Sequence, residues 1–70
     1  MKISYKKLWK LLIDRNMTKT QLRIAAGISS SSLGKLGKDE NVTTSVLLKV
    51  CSVLKCDVSD IMEIVPDSEK

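Results

Sequence analysis

Histidine and phenylalanine are absent from this chain, and proline occurs once, at Pro66. Tyr5 and Trp9 are its only aromatic residues, Cys51 and Cys56 its only cysteines. Each shortage closes off a class of function. Without histidine there is no imidazole base, and none to complete a metal site. Nor is there a glycine-rich phosphate loop or a convergent set of carboxylates. The expectation is therefore of no enzyme, no metal, no cofactor and no small-molecule substrate. Cys51 and Cys56, five residues apart across a helix end, fit neither a Cys-x-x-Cys redox pair nor a zinc knuckle. They read as small buried apolar residues in a reducing compartment, with a regulatory thiol as the alternative. No apolar run reaches the roughly 18 residues that span a bilayer. Met1 to Ile13 has some likeness to a signal peptide, but Lys10 interrupts its apolar run and no small-residue cleavage site follows. A cytoplasmic protein without a membrane partner is expected.

What remains is a chain of 70 residues, 43% hydrophobic, whose core must be built from Leu, Ile, Val and Ala. That is one domain near the lower limit of what folds without staples, expected over residues 1–66 with a polar tail at 67–70. The net charge of +4 is unevenly spread. Residues 1–38 carry nine basic residues against Asp14 alone, net +8, whereas residues 39–70 carry three basic and seven acidic, net −4. A domain polarised in this way orients in the field of a polyanion, the alternative being a merely solvated basic surface.

Apolar spacing predicts five helices and no strand. The first runs from Ser4 or Tyr5 to about Arg15 with Leu8, Leu11 and Leu12 inward. Beside them Trp9 and Ile13 form a second stripe, covered by the last helix or left for a dimer contact. Thr18 caps the second helix, completing a capping box with Gln21, and Met17 drops toward the core. That helix ends at Ala26, and Gly27 turns the chain at positive φ. Ser29 caps the third, which runs to about Leu36. Thr43 caps the fourth, Thr44 to Lys55, with Leu47, Val50, Cys51 and Leu54 at core spacing. Asp57 or Ser59 caps a fifth helix carrying Ile61, Met62 and Ile64, which Pro66 stops.

Lys19 to Lys38 is the most informative stretch. Leu22, Ala26, Ile28, Leu33 and Leu36 form an apolar seam between two short helices, and Ser29 to Ser32 open the second with hydroxyls that core packing does not explain. Gly34 costs a helix interior about 1 kcal/mol against Ala, so close approach of a backbone, of protein or of DNA, is expected there. A helix showing small polar side chains and Lys outward suits insertion into a groove of DNA.

The motifs Met17-Thr18-Lys19-Thr20-Gln21-Leu22, Ala26-Gly27-Ile28-Ser29, Leu33-x-x-Leu36 and Leu47-Leu48-Lys49-Val50-Cys51-x-x-Leu54 carry a resemblance. The chain resembles the lambda-repressor-like, Cro/repressor-type (Xre) helix-turn-helix domains, and their small stand-alone members in particular. The resemblance implies an all-α, compact five-helix DNA-binding domain whose second and third helices form the helix-turn-helix, with the third in the major groove. It also implies a homodimer on two-fold sites of double-stranded DNA. Groove-facing positions fall on Ser29, Ser30, Ser31, Gly34 and Lys35, and phosphate-contacting positions on Lys19, Lys38 and Asn41. Where many members carry Ala, this chain has Arg23, which must snorkel outward or splay the helices. Arg23 reads as a further phosphate contact, with helix capping or pairing to Asp14 as alternatives.

The reading that follows is a sequence-specific DNA-binding transcriptional regulator, a repressor acting by steric block. With no room for an effector domain, its regulation would come from concentration, a partner protein or DNA occupancy. The rivals are a protein-interaction module of the same fold, such as an antitoxin or anti-repressor partner, and a nonspecific basic nucleic-acid binder.

Overall fold

The structure is a computed structural model that describes residues 1–67. Four α-helices follow one another: α1 (Lys6–Asp14), α2 (Lys19–Ala26), α3 (Ser30–Gly37) and α4 (Thr44–Leu54). Their starts are set by hydroxyls. Gln21 N–H donates to Thr18 Oγ1 at 3.1 Å while Thr18 N–H donates to Gln21 Oε1 at 2.8 Å, a complete capping box. Ser29 and Thr43 accept from Ser32 N–H and Val46 N–H in the same way. α1 differs, because Tyr5 at its N-cap offers no capping side chain. Instead Tyr5 N–H donates to Asp39 Oδ1 at 2.9 Å and its hydroxyl donates to the Glu40 carbonyl at 3.0 Å.

All four helices end alike. A residue in the left-handed region, Asn16, Gly27, Asp39 or Lys55, reverses the chain. The next amide then donates back to the carbonyl five residues earlier: Met17 to Leu12, Ile28 to Arg23, Glu40 to Lys35 and Cys56 to Cys51, at 2.9 to 3.2 Å. This is the outer bond of the Schellman motif, in which the two residues so joined bring their side chains together; at α4 Lys55 N–H donates to the Cys51 carbonyl too. For α1 and α2 the arrangement turns Met17 and Ile28 toward the core, where Ile28 is buried and Met17 half-buried.

The expected fifth helix does not form. Residues Val58–Asp60 make one 3₁₀ turn, capped by Asp57, and Glu63–Val65 form a strand, β2. It pairs antiparallel with β1 (Lys2–Ser4) in the register Lys2 with Val65, Ile3 with Ile64 and Ser4 with Glu63. Three features decide against the helix. The segment before Pro66 is too short to repay helix nucleation. Ile64 and Val65 are β-branched, and a residue preceding proline is pushed out of the α region. The extended Lys2–Ser4 segment then supplies the missing partner for its backbone. Pro66 therefore follows a strand and stops no helix, and the all-α reading becomes four helices with a two-stranded sheet joining the chain ends. Beside the sheet, the Met1 ammonium meets Asp67 Oδ2 at 3.0 Å, an exposed pair of little energetic weight. The rest of the expected polar tail, 68–70, lies outside the described residues.

The core is aliphatic around one aromatic: Tyr5, Leu8, Leu12, Leu22, Ala26, Ile28, Leu36, Val50, Leu54 and Ile61 are all buried. Ile61 reaches it from just beyond the 3₁₀ turn, at the C-cap of that turn. Leu33, expected in the seam, is only half-buried, whereas Ile13 and Ile64 face outward. Trp9 is half-buried against the core without either of them.

Candidate nucleic-acid interface

α3 has two faces that the sequence alternates in pairs. Ser32, Leu33 and Leu36 turn inward to different depths, while Ser30, Ser31, Gly34, Lys35 and Lys38 are all exposed. Spacings of three and four place Ser30 with Gly34, and Ser31 with Lys35 and Lys38, on neighbouring stripes of one outward surface. Up to Gly34 nothing on that surface is longer than a hydroxymethyl group, so the helix backbone itself lies close to solvent.

The serines divide by role. Ser29 Oγ accepts from Ser32 N–H at 3.1 Å and donates to Ser32 Oγ at 3.1 Å, so its hydroxyl is occupied in starting the helix. Ser30 and Ser31 make no side-chain hydrogen bond among the described residues. Among the described residues, nothing beyond the chain neighbours and the helix's own backbone comes within 4 Å of where a Cβ would stand at Gly34, and the same holds at Gly37. The expected approach of a protein backbone to Gly34 is therefore not made.

The cations lie on α2, on α3 and at the end of α3. Lys19, first residue of α2, is exposed, and its Nζ sits 4.5 Å from the centroid of the Trp9 ring. Lys38 forms the C-cap of α3, and Asn41 is exposed in the loop that follows. That loop is held by Tyr5 through the Asp39 carboxylate and the Glu40 backbone carbonyl, so Asp39 anchors it by its side chain and Glu40 by its main chain. Arg23 is half-buried in the last turn of α2, its carbonyl receiving Gly27 N–H and Ile28 N–H. Among the described residues the sole ion pair is the one between Met1 and Asp67, so Arg23 does not pair with Asp14.

Sequence reasoning missed the contact between Trp9 and Lys19, which joins different helices across ten positions and leaves no periodic trace. It also missed Tyr5 as the anchor of the loop after α3. Its one signal was a lone tyrosine beside the first helix.

Two short helices joined at a left-handed glycine, the second showing a small polar face, define a helix-turn-helix domain. The chain belongs to the Cro/C1-type helix-turn-helix DNA-binding domains, whose family model matches residues 7–67. It is similar to a crystal structure of the transcriptional regulator VanUg, at 56% identity and a TM-score of 0.91, over 94% of this chain and 88% of that one. No match is found among the curated proteins. Among the described residues no helix is long and apolar enough to cross a membrane.

Proposed function

We propose that the protein is a sequence-specific transcriptional regulator that lays α3 in the major groove of double-stranded DNA and represses by occupying its site. Residues 1–66 act as one binding unit, paired as a homodimer on a two-fold site in the cytoplasm. The observation that carries this reading is the outward face of α3, where Ser30, Ser31 and Gly34 keep the helix slim and Lys35 and Lys38 lie alongside. The open space at Gly34 supports it further, because a glycine that nothing among the described residues requires is explained by an approach from outside.

The roles divide by reach. Lys19, Arg23, Lys38 and Asn41 contact phosphates and set register and affinity. Ser29, Ser30, Ser31, Gly34 and Lys35 face base edges. With its hydroxyl committed to the helix cap, Ser29 contributes mainly shape. Lys35 is the one long reader on α3, so discrimination leans on groove fit and half-site spacing as well as on direct hydrogen bonds. Titration against selected and random duplexes at two salt concentrations tests the proposal. A specific regulator prefers the selected site at both, and equal weak binding to every sequence would overturn it.

A further inference from the structure

At the end of α4 the bond to the carbonyl five residues earlier joins two cysteines. Cys56 N–H donates to the Cys51 carbonyl at 3.1 Å across Lys55, which takes φ 53° and ψ 53°. That bond holds the two Cα atoms within about 7 Å, the upper limit of the separation that disulfides span. In the other three helix ends the joined pairs are Leu12 with Met17, Arg23 with Ile28 and Lys35 with Glu40, so two cysteines are joined only here. Both cysteines are free and half-buried, and the neighbouring Cys56 helps to push the Cys51 thiol up. Both also line a shallow groove between α4 and the 3₁₀ turn, together with Leu48, Val58 and Asp60, so a small molecule can reach them.

We propose that Cys51 and Cys56 form a reversible dithiol–disulfide site, closed by exchange with a low-molecular-weight disulfide and reopened by the corresponding thiol. Exchange runs in two steps. The Cys56 thiolate attacks one sulfur of the small disulfide, forms a mixed disulfide and releases one small thiolate, which takes up the proton that Cys56 lost. The Cys51 thiolate then attacks the Cys56 sulfur and releases the second small thiol. The two cysteines together lose two protons and two electrons, and the small disulfide gains them as two thiols.

The order of attack follows from the surroundings. Burial, then the neighbouring Cys56, then Asp57 and Asp60 push the Cys51 thiol up to about 11, so it stays protonated through the first step. The closed bond spans the corner where α4 hands over to the 3₁₀ turn and Ile61. It adds a covalent tie to the backbone hydrogen bond that already joins the two residues at the end of α4.

The full chain is equilibrated with mixtures of reduced and oxidised glutathione, quenched in acid and digested with trypsin. Cleavage after Lys49 and Lys55 leaves the disulfide joining peptides 50–55 and 56–70. Cys51→Ser and Cys56→Ser each stop at a mixed disulfide. At a fixed glutathione mixture, the ratio of closed to open protein in the folded state should exceed that in concentrated guanidinium by roughly tenfold or more, because the fold pre-pairs the thiols. By linkage the closed form then resists unfolding by the same factor. A folded protein that halts at mixed disulfides, or closes no more readily than the unfolded chain, overturns the proposal.

Discussion

Lys19 holds its ammonium 4.5 Å above the centroid of the Trp9 ring, so that the first residue of α2 is steadied by a side chain of α1. A cation over an indole face gains about 0.5–1 kcal/mol where solvent is near. That is enough to bias a flexible lysine toward one place, and too little to keep it from a phosphate. Lys19→Ala is expected to weaken binding to all duplexes alike and to flatten the dependence of log affinity on log salt by about 1. Lys35→Ala is expected to lower discrimination between selected and random sites instead. Titrations of both variants across a salt series check this, and equal losses of discrimination would contradict the assignment.

Gly34→Ala separates stability from binding. With open space at the Cβ position and a glycine in a helix interior, alanine should raise stability by about 1 kcal/mol. The same methyl stands on the face assigned to DNA, where it should weaken specific binding roughly tenfold. Denaturant unfolding and duplex titration of one preparation measure both. Unchanged DNA affinity would remove Gly34 from the interface.

The helix ends give a pair of opposite outcomes. Gly27 at φ 68° has nothing within 4 Å of a Cβ, so Gly27→Ala carries only the conformational cost of a left-handed L-residue, about 1–2 kcal/mol. Lys55 bears that cost already at φ 53°. Lys55→Gly should therefore stabilise by about 0.5–1 kcal/mol, once the larger freedom of unfolded glycine is offset. Urea midpoints compared with the parent chain should move in these opposite directions.

Much of the helical frame is legible in the sequence because its signals are local. Thr18 with Gln21, Ser29 and Thr43 announce helix starts, and Gly27 announces the turn. Chemistry of that kind acts within three or four residues. The last ten residues mislead because Ile61, Met62 and Ile64 mimic a helical stripe, while the deciding partner, Lys2–Ser4, lies at the other end of the chain. The outward face of α3 is legible from Leu33 and Leu36, although Leu33 is half-buried rather than sealed. Arg23 is legible as a departure from the family pattern, but neither its half-burial nor its lack of a carboxylate partner among the described residues follows from spacing. The contact of Trp9 with Lys19 depends on how α1 packs beside α2, and no local rule reports it.

Alkaline pH should destabilise the fold in two stages. The Cys51 thiol is raised from 9.0 to about 11, chiefly by burial and then by Cys56. Tyr5 is raised above 10.0 by burial and then by Asp39. A raised acid stays protonated longer when folded than when unfolded, so the folded state binds more protons above the unfolded value and stability falls as pH climbs. The contribution of Cys51 is intact below pH 9 and is lost on the way to about 11, and that of Tyr5 begins to fall near pH 10. Unfolding curves from pH 8 upward should show an earlier decline in the parent than in Cys51→Ser, with Tyr5→Phe sparing the later part. Tyr5→Phe also removes the bond to Glu40 and lowers stability at neutral pH by about 1 kcal/mol.

Selection of bound duplexes from a random pool, followed by titration of the recovered site, tests the central claim most directly. A dimeric regulator reading DNA through α3 predicts a two-fold sequence with half-sites about one helical turn apart. It also predicts a preference for that site over random duplex that survives added salt and shrinks on Lys35→Ala. A pool that stays random, with all binding lost as salt rises, would contradict the account.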